Sequence, residues 1–119
     1  MTRPLVYVAG PYHGDGSRAV MLNARDAYKH GEELDDLGYE TFIPHGLFAE
    51  QLTNGTPERV IIRKCLAHVE RADYVWRIPG TSNGAELECE HAMSKGVPVL
   101  YAACATTFHR QVLDARREL

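Results

Sequence analysis

The sequence has no apolar run of the 18 or so residues that a transmembrane helix needs, which excludes that class. It also lacks a basic excess. Thirteen Lys and Arg stand against 16 Asp and Glu, a formal charge of −3, so no field exists to neutralise a nucleic-acid polymer. A single nucleotide remains compatible, because one or two donors satisfy one phosphate. The cysteines are few and odd in number (Cys65, Cys89 and Cys104), with no C-x-x-C pair. They are expected to be free thiols, buried or half-buried, in a reducing compartment. The six histidines show no H-E-x-x-H or other ligand spacing, and no G-x-S-x-G elbow occurs. Neither a metal centre nor a serine hydrolase is expected, and His68 and His91 read as surface or packing residues. The opening Met1-Thr2-Arg3-Pro4 runs straight into a strand and is too short for a signal peptide. The cytoplasm is the expected location.

What is present is an ordinary globular composition, 45% apolar over 119 residues, enough for one domain spanning 1–119. Leu5-Val6-Tyr7-Val8-Ala9 reads as a buried strand closed by Gly10-Pro11. Ser17 is a fair N-cap for a long helix ending near Gly38. A second strand is expected over Tyr39 to Ile43, then a polar loop from Pro44 to Gly55. Pro57 and Glu58 suit the first turn of a helix carrying Val60, Ile61, Cys65, Leu66 and Val69. A third strand (Asp73 to Ile78), a helix (Asn83 to Lys95), a fourth strand (Val97 to Ala102) and a terminal helix (Thr106 to Glu118) follow. Strands alternating with helices imply right-handed crossovers. The expected fold is a single doubly wound α/β domain, flavodoxin/Rossmann-like, with a mostly parallel sheet of four to five strands. Ligands in such sheets bind beyond the carboxyl ends of the strands.

Two glycine-bearing loops are expected at that edge. Gly14-Asp15-Gly16-Ser17-Arg18-Ala19 matches a loose G-x-G-x-x-A pattern. Gly14 stands several residues past the strand, and Pro44-His45 occupies the place of the ribose-binding acid, so it is not a dinucleotide fingerprint. The loop would still suit a phosphate, held by backbone N–H groups, His13 or Arg18. In the other loop, Asn83 and Glu86 fit a capping box, and Ser82 with the N–H groups near Gly84 would meet an anion at the helix start. Glu86, Glu88 and Glu90 share the first turns of that helix. Its apolar stripe of Ala85, Cys89, Ala92 and Met93 is bordered by Glu86 on one edge and Glu88 on the other. Periodicity leaves these two tied.

The sequence resembles the nucleoside 2-deoxyribosyltransferase-like superfamily over nearly the whole chain. The resemblance rests on Val6-Tyr7-Val8-Ala9-Gly10-Pro11-Tyr12, Leu37-Gly38-Tyr39-Glu40, Ala72-Asp73-Tyr74-Val75, and Ser82-Asn83-Gly84-Ala85-Glu86-Leu87-Glu88 followed by Gly96-Val97-Pro98-Val99. It implies that Glu88, six residues after Ser82, is a nucleophile that Tyr7 orients, and that Asp73 binds or protonates the base; glutamate's reference pKa of about 4.3 would leave Glu88 ionised. It further implies that Ser82, Asn83 and Gly84, with Gly10, Tyr12, His13, Gly14 and Arg18, bind the substrate, and that the Pro44–Gly55 segment covers the base. The activity implied is cleavage of the N-glycosidic bond of a (deoxy)nucleoside or nucleoside 5′-monophosphate, by hydrolysis or transfer. It needs no cofactor and no metal, and the resemblance implies a homodimer or higher homo-oligomer; Trp76 and the terminal helix only hint at where its contacts form. The alternative is a non-catalytic nucleotide-binding module using the same crevice.

Overall fold

The computed structural model describes residues 3–12 and 16–117. Strands β1 (Leu5–Ala9), β2 (Glu40–Phe42), β3 (Tyr74–Arg77) and β4 (Val99–Tyr101) form one sheet in the order β2-β1-β3-β4. Every pairing is parallel, with Ala9 beside Arg77 at the carboxyl edge of the two central strands. Helices α1 (Gly16–Asp36), α2 (Phe48–Asn54), α3 (Glu58–Arg71), α4 (Asn83–Ser94) and α5 (Ala105–Arg117) complete the element order. The expected doubly wound α/β fold is the one found.

Residues alternate faces along a strand, which divides the core in two. Val6, Val8 and Trp76 face one side and pack with Leu34 of α1 and with Phe108 and Val112 of α5. Tyr7, Ala9 and Val75 face the other, under Ile61, Cys65 and Val69 of α3 and Ala85, Cys89 and Ala92 of α4. These helical residues recur at spacings of three and four, the stripe that a surface helix turns to its sheet.

Three expectations need correction. The segment after Pro44 is not a loop: a 3-10 turn, Pro44–Leu47, leads directly into α2. Leu47 and Phe48 pack on the core, Glu50 meets Lys64 of α3 at 2.8 Å, and Gly55 ends α2 in a left-handed conformation, φ 68°. Thr53 and Asn54 are exposed, but Glu50 and Gln51 are half-buried, and the apolar Leu52 is 77% exposed. Trp76 is not a surface for contacts between copies. It is fully buried, stacks on Phe108 at 5.4 Å and donates from Nε1 to the Ala102 carbonyl at 2.8 Å. Of the thiols, Cys65 and Cys89 are buried as expected, but Cys104 is exposed beside the start of α5.

Candidate functional site

The chain runs from β1 outward to β2, then returns across β1 to β3, so the strand order reverses between β1 and β3. Loops leave in opposite directions there and open a crevice. Close contacts weld the two central loops. A Cβ on Gly10 would lie 2.2 Å from Ile78, and one on Gly80 would lie 2.4 Å from Pro11. Gly80 also has φ +126°, a conformation that L side chains rarely adopt. Beside this weld lies a cleft of about 490 Å³, whose wall includes Gly10, Tyr12, His45, Phe48, Ser82 and Glu88.

Glu88 dominates the chemistry of the cleft. It lies in the second turn of α4 and is 9% exposed, and its Oε2 has no hydrogen-bond partner. Burial in these apolar surroundings pushes its pKa up to about 8. A carboxyl with that pKa holds its proton at pH 7, where the reference value for glutamate would have it ionised. Glu86 goes elsewhere: its carboxylate takes Arg77 Nη2 at 3.0 Å and Nε at 3.3 Å. The tie that helical periodicity left between the two glutamates is broken by Arg77, a buried cation at the end of β3.

Arg77 also orders the loop that follows it. Its Nη1 donates to the Ile78 carbonyl and its Nη2 to the Gly80 carbonyl, the latter at 2.7 Å. The expected capping box does not form, because the helix starts one residue earlier and puts Ala85, not Glu86, at the third position. Ser82, not Asn83, is the N-cap, and its Oγ accepts from the Ala85 N–H at 3.1 Å. The Ser82 O–H still can donate, and the first N–H groups of α4 lack intrahelical partners. Ser82, Asn83 and Gly84 all line the cleft, as expected, and so do Gly10 and Tyr12.

Other expected residues are not brought there. Asp73 lies at the opposite edge of the sheet: its Oδ2 accepts from the Leu5 N–H at 2.7 Å, and its own N–H donates to the Leu5 carbonyl at 2.8 Å. The four residues of β3 separate it from the cleft, roughly 13 Å at the rise of a strand. It fastens the entry of β1 to β3 and does not reach a base in the cleft. Tyr7 is wholly buried behind the wall, stacked on Phe42 at 5.5 Å. Its hydroxyl and Glu88 Oε2 both lack partners, so no hydrogen bond joins them. Arg18, in the first turn of α1, is exposed and is not part of the wall. His13 and Gly14 lie outside the described residues.

His45 was not among the expected site residues. It is buried, its Nε2 lies 2.8 Å from the Pro11 carbonyl, and its ring meets Tyr12 edge-on at 5.8 Å. Tyr12 in turn stacks on Phe48 at 3.7 Å. It belongs to the Pro44–Gly55 segment that the resemblance implies covers the base, but no motif singles it out within that segment. Among the described residues the wall holds no lysine or arginine, and its acidic groups are Glu58 and Glu88. No group of metal-ligating side chains occurs among the described residues, and none of their helices is long and apolar enough to cross a membrane.

No curated protein matches the chain. Among solved structures, it is similar to a 2-deoxyribosyltransferase from the psychrotolerant bacterium Bacillus psychrosaccharolyticus, described as a biocatalyst for the synthesis of nucleosides. The TM-score is 0.64 at 22% identity, over 82% of this chain and 70% of that one. The family model that matches residues 4–102 is described as Domain of unknown function (DUF7768). The chain therefore belongs to the DUF7768 family, and its fold is nucleoside 2-deoxyribosyltransferase-like.

Proposed function

We propose that the protein cleaves the N-glycosidic bond of a (deoxy)nucleoside or nucleoside 5′-monophosphate, with Glu88 as nucleophile. The observation that carries this reading is a single buried carboxyl with an unpartnered oxygen on the wall of a switch-point cleft. The fold shared with a 2-deoxyribosyltransferase supports it. The ionised carboxylate attacks C1′ and the C1′–N bond breaks, its electron pair leaving with the base. The base takes a proton from solvent water, and the sugar stays esterified to Glu88. Water, or a second base, then attacks C1′ and frees the carboxylate. A 5′-phosphate would sit at the start of α4, taking the Ser82 O–H and the N–H groups of Asn83 and Gly84.

The carboxyl must lose its proton to act, so turnover rises as pH approaches 8 from below. The test is release of free base, and exchange between bases, across nucleosides and their 5′-monophosphates. Glu88→Gln keeps the shape and removes the charge, and is expected to lower turnover at least roughly a thousandfold. Full activity in that variant removes Glu88 from the mechanism. One observation favours a second reading, a non-catalytic binding module: Glu88 is neutral and unoriented by Tyr7. That reading predicts a ligand bound intact by the native protein, with no base released at any pH.

A further inference from the structure

Arg77 lies on the far side of the loop that it ties. It is 6% exposed and lines a second hollow, of about 390 Å³, together with Gly80 and Glu86. It is not part of the cleft wall. Thr81 is the reverse case, because it lines the cleft and not the hollow. The chain therefore passes from one side of the loop to the other between Gly80 and Thr81.

The peptide that joins these two residues has a fixed sense. Arg77 Nη2 donates to the Gly80 carbonyl at 2.7 Å, which aims that oxygen at the hollow side. Glu86 holds the guanidinium through Nη2 at 3.0 Å and Nε at 3.3 Å, so the fork is oriented from two directions. No peptide bond among the described residues is cis. In a trans peptide the C=O and the following N–H point in opposite directions. The Thr81 N–H is thus turned away from Arg77, toward the cleft. It donates to no group among the described residues. The described wall carries no lysine or arginine, so a substrate oxygen at this end is held by hydroxyls and backbone N–H groups. Dipoles of this kind bind well only when they are fixed beforehand.

We propose that Arg77 is a positioning residue: by holding the Gly80 carbonyl from behind, it presents the Thr81 N–H to the oxygen on C5′ of the substrate, hydroxyl or phosphate. The proposal rests on the nucleoside reading above, with C1′ at Glu88 and the 5′ end at the start of α4. It adds Thr81 to the donors that Ser82 and α4 supply there. The bland alternative is that Arg77 only ties the loop to α4, in which case its loss weakens every ligand alike.

The experiment is calorimetric binding of the four common 2′-deoxynucleosides, their 5′-monophosphates and their 5′-deoxy analogues, at pH 6, where turnover is slow. In the native protein an oxygen on C5′ should tighten binding about tenfold or more over the 5′-deoxy analogue. Arg77→Met removes the hold on the Gly80 carbonyl. Thr81→Pro removes the N–H itself and leaves Arg77 its partners. Each should cut the advantage of the 5′-oxygen about threefold or more, with the 5′-deoxy analogue bound nearly as before. Should one variant not fold, the other decides. An advantage unchanged in a folded variant, an equal loss for all probes, or no such advantage in the native protein overturns the proposal and leaves the nucleoside reading standing. Binding of no probe by the native protein overturns both.

Discussion

Glu88 and Asp73 are both carboxylates, and their surroundings send them to opposite uses. Asp73 accepts a backbone N–H at the entry edge of the sheet, whereas Glu88 is buried with one oxygen unpartnered. A buried, unsatisfied carboxyl is a defect in stability, which is why it is informative. Folding raises the Glu88 pKa from about 4.5 to about 8. Between those values the unfolded chain has released a proton that the folded protein still holds. Stability therefore falls as pH rises through that window and levels off above it. The Glu88 share of this fall is on the order of 5 kcal/mol. The measurement is urea unfolding of native protein and Glu88→Gln from pH 5 to pH 8.5. The native curve should drop relative to the variant, and the variant should be the more stable at pH 8.5. Parallel curves would mean that Glu88 ionises freely in the fold.

At the scale of elements, the cleft depends on loops that are held to one another. Glu86 holds Arg77, Arg77 holds the Gly80 carbonyl, Gly80 packs on Pro11, and Pro11 receives the His45 N–H. The link at Gly80 permits the sharpest prediction. Alanine there must adopt φ +126° and place its Cβ 2.4 Å from the Pro11 ring. Gly80→Ala should cost about 1–3 kcal/mol, read from the denaturation midpoint, and should weaken binding in the cleft. An unchanged midpoint would show that the two loops part without cost. Much of this level was legible in the sequence. β1 is five consecutive apolar residues, and α3 repeats its buried residues every four positions, so both elements stood out. The cap of α4 lies one residue before the expected one, at Ser82, and Glu86 pairs with Arg77, 9 positions away. Local spacing carries no trace of such a pairing. The same limit hid the remoteness of Asp73, since its strand was recognised but the end of the sheet that holds the cleft becomes concrete only when the strands are paired.

For the whole molecule, the matched family segment ends at residue 102, yet the sheet is not covered until α5. Without that helix, the face bearing Val6, Val8 and Trp76 would keep α1 and lose Phe108 and Val112. Phe108 is fully buried, stacks on Trp76 and meets Tyr39 at 5.8 Å, so it joins β3, α5 and the segment just before β2. Phe108→Ala removes an aromatic ring from a closed core and should cost about 3–5 kcal/mol. A chain ending at residue 102 should then lack a cooperative transition, because a domain of this size has a margin of only about 5–15 kcal/mol. Calorimetry of both variants, with Trp76 fluorescence as the local probe, is the measurement. A sharp, two-state transition in the shortened chain would show that the family segment folds alone. α5 would then be an attachment to the fold, and the crevice at the β1–β3 switch point would owe its rigidity to α3 and α4.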